Sequence, residues 1–171
     1  DLRGVSSGFG RPENALAALL GAQIARRLGL PYRSSSAVTG AFSTDVRAGY
    51  ESMLTAWSAW AGGVNFVLQA AGTLDCINAM SLEKFIVDLE VWGCIQRLSQ
   101  RPAFEPDEMA LDLLENNAGS FLGEVHTAEH MRRSLFVPAL APPAAYDVWL
   151  AGGAKDAAQI AAALPPRVLK R

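Results

Sequence analysis

The run Val64-Asn65-Phe66-Val67-Leu68-Gln69-Ala70-Ala71 constrains the fold more than any other stretch, because it is mostly continuous in apolar residues and is bounded by Gly62-Gly63 and Gly72. So short a run suits a strand rather than a helix, and one buried on both faces, as in a parallel sheet covered by helices. Segments with helical spacing flank it. Tyr50, Met53, Leu54, Trp57 and Trp60 recur at three and four residues within 46–61. Behind the N-cap Ser81, the residues Phe85, Ile86, Leu89, Trp92, Cys94, Ile95 and Leu98 carry an apolar face over 81–99. Upstream, Ala15, Leu16, Leu19, Leu20, Ile24 and Leu28 predict a helix over 13–28, with Pro12 in its first turn and Gly29 at its end. A strand near 31–36 follows, since Pro31 suits a strand's entry better than its middle. Helix and strand alternate, which predicts βαβ units and a parallel α/β architecture.

Downstream, Pro106-Asp107-Glu108 opens a helix over 107–116, residues 119–123 predict a short strand, and Thr127 caps a helix to about 134. Pro142-Pro143 breaks the chain before helical stretches at 144–151 and 154–163, so 1–143 reads as βα units and 144–171 as a helical cap. The first ten residues begin without Met and read as a loop joined to something upstream, so the chain is expected to be part of a longer one. Half the residues are hydrophobic and 19% are charged, which excludes disorder and suits helices laid closely on a sheet. The net charge is −2 and the 15 Lys and Arg residues are scattered, so no nucleic-acid footprint is expected. No stretch approaches the length of a membrane span, and the two cysteines, without a secretory stretch, predict a reducing cytoplasmic setting.

In parallel α/β folds, chemistry gathers where strands end, so the loops after 36, 71 and 123 are the places to look. They offer Ser34-Ser35-Ser36 through Thr39, Gln69 with Gly72-Thr73 through Asn78, and Glu124-Val125-His126-Thr127. His126 could bind an anion, relay a proton or simply donate to a helix start. His126 and His130 stand four apart, but no general-base Glu directly follows His126 and no third ligand is evident, so no metal site is expected. Alternation puts Asn65 and Gln69 on one face of their strand, where each either lines a site or bonds to a neighbouring strand. Cys76 has no paired His and reads as an inert thiol, and Trp57, Trp60 and Trp92 read as core rather than as a cage for a cation. Arg47 through Glu51 read as the polar side of a helix.

Several blocks together resemble the trimethylamine methyltransferase family. They are Ala48-Gly49-Tyr50-Glu51, Ala61 through Phe66 with Gln69 through Leu74, and Glu83 through Asp88. Gly119 through Thr127, followed by Phe136-Val137-Pro138 and the region of Asp147-Val148-Trp149, extends the match over nearly the whole chain in order. The resemblance implies a (β/α)₈ TIM barrel, of which this chain would supply the C-terminal part, about three parallel strands with flanking helices. It also implies transfer of a methyl group from a small methylated amine or betaine to the Co(I) corrinoid of a separate protein, as in relatives that lack pyrrolysine. Catalytic roles would then fall to His126 and Glu124, and substrate contacts to Asn65, Gln69, Ser36 and Thr73. His126 would meet a betaine carboxylate, while Glu124 would balance the ammonium or orient His126. The loop Ala41-Phe42-Ser43-Thr44-Asp45 departs from the Lys and Pro that relatives often carry there, which leaves the substrate open.

Two other readings stand beside this one. A non-catalytic half-barrel would serve as a binding or assembly module, since a few strands cannot close a barrel and leave edges that favour a homo-oligomer or the missing half. An unrelated barrel lyase or aldolase would need a Schiff-base lysine or a metal set, and Lys84 and Lys155 read as lying away from strand ends.

Overall fold

The computed structural model describes residues 8–101, 104–117, 119–141 and 144–164. Its first helix, α1 (Pro12–Arg27), turns its alanines inward: Ala15, Ala18, Ala22 and Ala25 are buried, while Leu16 and Ile24 are 54% and 60% exposed. The sequence spacing predicts a buried face led by the leucines. The structure differs because α1 lies against α2 (Val46–Gly62), which it meets at Gly62, and only short side chains let the two backbones approach. A Cβ on Gly62 would stand 3.1 Å from that of Ala22 and 3.2 Å from Cα of Leu19. Arg26 donates to the Gly62 carbonyl, and Gly63 ends α2 in the left-handed region at φ 73°, where glycine carries no Cβ penalty. Ala22→Leu is expected to cost about 1–3 kcal/mol by overpacking this contact, read as a lower urea midpoint; an unchanged midpoint would mean that the helices separate freely.

Helix α2 crosses between two parallel strands, β1 (Arg33–Ser35) and β2 (Phe66–Leu68), paired in the register Arg33↔Phe66, Ser34↔Val67 and Ser35↔Leu68. The βαβ unit read from the sequence is therefore present, with a much shorter second strand than 64–71. Its ladder ends at Gln69, whose φ of 50° turns the chain, and among the described residues β2 has one strand neighbour, which leaves Phe66 exposed instead of buried. A small antiparallel ribbon follows, β3 (Thr73–Leu74) with β4 (Ala79–Met80), around a 3₁₀ turn at Asp75–Ile77.

Helix α3 (Leu82–Ser99) begins where the Ser81 hydroxyl accepts from Lys84 N, the cap expected from the sequence. The helix expected over 107–116 is broken into α4 (Pro106–Met109) and α5 (Leu111–Asn116) by Ala110 at φ 47°. The strand expected at 119–123 is instead a 3₁₀ turn, Phe121–Gly123, in which the Ser120 hydroxyl accepts from Leu122 N and curls the chain away from extension. Helix α6 (Val125–Ser134) starts with Glu124 at its N-cap, so Thr127 lies inside the helix and caps nothing. The helices α7 (Tyr146–Ala151) and α8 (Ala157–Ala162) follow, α8 behind an Asp156/Gln159 capping box. Ile86, Leu140 and Ala161 form a core cluster that fastens α8 to α3. The expected N-terminal loop over 1–7, the Pro142-Pro143 break and the last part of the cap, 165–171, lie outside the described residues. Among the described residues, no helix is long and apolar enough to cross a membrane.

Candidate active site

The two segments that leave β1 and β2, residues 36–41 and 69–73, meet at the carbonyl of Ala37, which side chains from α2 and α3 also reach. Ala37 O accepts from Thr73 Oγ1 at 3.4 Å, Ser52 Oγ at 3.3 Å and Lys84 Nζ at 3.3 Å. Ser36, Ala37, Val38 and Thr39 are all buried. Ala37, Gln69, Asp75, Cys76 and Ile77 hold positive φ without being glycine. Such backbone costs on the order of 1–3 kcal/mol per residue, persists only where surrounding bonds impose it, and collects at functional sites.

Lys84 and Asp88 hold two points of this backbone, the Ala37 carbonyl and the Gly72 amide. Both are 0% exposed, and Lys84 Nζ donates to Asp88 Oδ1 and Oδ2 at 2.6 and 2.5 Å and to Ser52 Oγ at 2.6 Å. Asp88 Oδ2 also accepts from Gly72 N at 2.8 Å. Burial pushes the Asp88 carboxyl above, and the Lys84 ammonium below, its ordinary value, and each is opposed by the partner's charge. The sequence puts Lys84 on a helix and away from strand ends. The structure corrects this, because the side chain carries its ammonium to the end of β1, where it is engaged as a donor and unsuited to nucleophilic attack.

Glu51, read from sequence as part of a polar helix side, is likewise inside, at 4% exposure. Its carboxylate accepts from Thr39 Oγ1 at 2.6 Å, Gly40 N at 2.7 Å and Arg47 Nε at 2.9 Å. Burial raises its pKa, but the bonds from Thr39, Arg47 and Gly40 outweigh burial and hold the group below the ordinary 4.5. Gly10 leaves the room this requires, since a Cβ there would stand 2.1 Å from Glu51 Oε2. Thr39 O and Ala41 O accept from Cys76 N and Asp75 N at 2.9 and 2.8 Å, which ties the strand-end loop to the 3₁₀ turn.

Two of the residues picked from sequence lie near this carbonyl: Ser36 precedes Ala37 in the chain, and Thr73 bonds to Ala37 O. The Ser36 hydroxyl is buried without a hydrogen-bond partner among the described residues, which is unusual for a group whose desolvation costs free energy. Asn65 and Gln69 do not share a strand face. Asn65 precedes β2 and its Oδ1 accepts from Tyr32 N at 2.9 Å, while Gln69 lies past the strand's end and its Oε1 accepts from Ser35 Oγ at 2.9 Å.

His126 and Glu124 stand apart from that convergence, after a 3₁₀ turn and not after a strand. His126 Nε2 lies 2.8 Å from Asp107 O, and its ring stacks on His130 with centroids 4.0 Å apart. Glu124 Oε1 accepts from Asn117 Nδ2 at 2.6 Å. Among the described residues, the side-chain partners of both stay within 107–130. No group of three or more His, Cys, Asp and Glu able to hold a metal occurs among the described residues. Trp57 and Trp60, expected in the core, are partly exposed with rings 5.0 Å apart, and Trp92 donates to Ala70 O at 2.7 Å. The sequence did carry a signal for the buried pair: Lys84, Asp88 and the buried Ile95 fall on one face of α3 at helical spacing.

Comparison with known proteins assigns the chain. The family model described as Trimethylamine methyltransferase (MTTB) matches residues 1–171. The chain belongs to the trimethylamine methyltransferase family. It is 41% identical to the glycine betaine methyltransferase of Desulfitobacterium hafniense (strain Y51) over 151 residues, covering 87% of this chain and 32% of that protein. Two proteins of Eubacterium limosum are also similar. The proline betaine:corrinoid methyltransferase is 34% identical over 100 residues, covering 58% of this chain and 21% of its own, and the L-carnitine:corrinoid methyltransferase is 33% identical over 105 residues, covering 61% and 21%. The chain therefore spans about a third or less of the length of these family members.

Proposed function

We propose that this chain is the C-terminal part of a (β/α)₈ barrel that moves a methyl group from a small methylated amine or betaine to the Co(I) corrinoid of a separate protein. The match of the whole chain to the family model carries this reading, and three similar proteins named as methyltransferases for betaines and carnitine support it. The corrinoid protein is a substrate here, the methyl acceptor. The N–CH₃ bond breaks, the methyl carbon bonds to cobalt, and the bond's electron pair stays on nitrogen as a neutral amine. Since Co(I) is itself a strong nucleophile, the chain's task is to orient the donor and shape the field around it.

The strand-end loops suit that task. Ser36 and Thr73 are the strand-end residues we assign to the donor's carboxylate: the Ser36 hydroxyl is buried and unpartnered among the described residues, and Thr73 bonds to the neighbouring Ala37 carbonyl. His126 is the candidate for a second carboxylate contact, with Glu124 balancing the ammonium or orienting His126; both would join the strand ends only through barrel parts beyond this chain. Leu16 and Ile24 on α1, with Tyr50 and Trp57 on α2, leave an apolar flank exposed, which favours association with the remaining polypeptide or with a second copy.

The test is made on the complete polypeptide carrying this segment. It is mixed with a reduced corrinoid protein and a panel of methylated amines and betaines while the cobalt absorption spectrum is followed. A donor-dependent shift to the methylated spectrum names the substrate; no shift with any donor overturns the reading in favour of an assembly module. In the same assay His126→Ala is expected to raise KM for a betaine by about tenfold, the worth of one charge-assisted hydrogen bond, and an unchanged KM would remove His126 from the site.

A further inference from the structure

We propose that Lys84 and Asp88 are the positioning pair of this site, holding the two strand-end loops in register with each other for methyl transfer. The inference rests on the methyltransferase reading above for its functional part and on the hydrogen bonds alone for its structural part. The polar atoms of both are already bonded within the protein, so neither is free to contact a donor. What they touch is backbone: Lys84 Nζ donates to Ala37 O in the first loop and Asp88 Oδ2 accepts from Gly72 N in the second. One buried ion pair on α3 therefore spans both loops, and Ser52 on α2 bonds to the same ammonium and to the same carbonyl.

A pair kept only for stability has no need of these backbone partners. Buried ion pairs replaced by apolar side chains of similar volume often leave stability unchanged or raised, so their retention calls for another account. Here that account is geometric. Ala37 and Gln69 hold left-handed backbone that neither residue prefers, and Gly72 turns at φ 82°. Without a fixed acceptor for Gly72 N and a fixed donor to Ala37 O, the loops carrying Ser36 and Thr73 lose their mutual placement, and methyl transfer depends steeply on the placement of the reacting atoms.

The discriminating variant is the double replacement Lys84→Met/Asp88→Leu in the complete polypeptide, which keeps volume and removes both charges. The expected result is an unfolding midpoint at or near the parent's, kcat/KM for methyl transfer lower by roughly 10- to 100-fold, and faster amide hydrogen exchange confined to 37–41 and 69–73. Parent-like kcat/KM in a folded double variant overturns the inference. If the double variant does not fold, Ser52→Ala decides: it removes one acceptor of the ammonium, and kcat/KM should fall by about 2- to 10-fold, an unchanged value overturning the inference. If the parent polypeptide transfers no methyl group from any donor, the reading of function fails separately, and exchange at Gly72 N then decides, faster in the variant supporting the positioning role and unchanged exchange refuting it.

Discussion

Lys84→Met alone is expected to lower the free energy of unfolding by about 3–5 kcal/mol, because it leaves the Asp88 carboxylate buried without its countercharge. Asp88→Leu alone is expected to do comparable damage from the other side, stranding an ammonium that has only Ser52 and Ala37 O left. The double variant should recover most of either loss. Equilibrium urea denaturation of the parent, both single variants and the double variant forms a complete cycle, and its coupling term isolates the pair from the rest of the core. Losses that simply add, with the double variant as unstable as the two singles summed, would show that the two side chains stabilise the fold independently. The asymmetry has a plain cause. The ion pair's own attraction is largely offset by desolvation, whereas an unpaired charge suffers the desolvation with nothing against it.

Glu51→Ala comes next in expected size, a loss of about 2–4 kcal/mol, because the buried Thr39 hydroxyl and the Gly40 amide each lose an acceptor that no water replaces. The Arg47 bond adds little to this, since that guanidinium is largely exposed and screened. The same carboxylate should govern part of the acid limb of stability. Its folded-state pKa lies below the ordinary 4.5, so between those two values the unfolded chain binds a proton that the folded chain does not. Stability contributed by Glu51 is thus fully present above 4.5 and is lost as pH falls through the folded-state value. Glu51→Gln should flatten that portion of a stability profile measured from pH 6 down to pH 3. A profile with undiminished acid sensitivity would assign it to other carboxylates, of which Asp45 and Glu108 are also held below their ordinary values by hydrogen bonds.

Several of these relationships were legible in the chain before folding, and others were hidden for identifiable reasons. Helices over 12–27, 46–62 and 82–99 follow from spacing and from the Ser81 cap, which are local properties. Which face of α1 is buried was not legible, because the rule that large apolar residues go inside fails where two helices meet on alanine and glycine. The strand expected at 119–123 failed because extension there needs a pairing partner, while Ser120 supplies a local bond that favours a turn. Ser36 and Thr73 could be placed beside the strand ends from sequence because parallel folds place function there, a rule that depends only on strand order. Lys84 and Glu51 were passed over because a charged residue on a helix is normally solvated, and nothing within a few positions reveals that the helix is covered there.

The sequence by itself determined the family, the βαβ alternation and the strand-end loops where chemistry is proposed, since each rests on residue identity and short-range periodicity. The tertiary structure alone decided that Ala37's carbonyl would gather Ser52, Thr73 and Lys84, that Asp88 would reach Gly72, and that His126 would settle against Asp107 and His130. Those contacts join residues 15 to 47 positions apart around Ala37, and their energies come from burial, which exists only once α2 and α3 have closed over the strand ends.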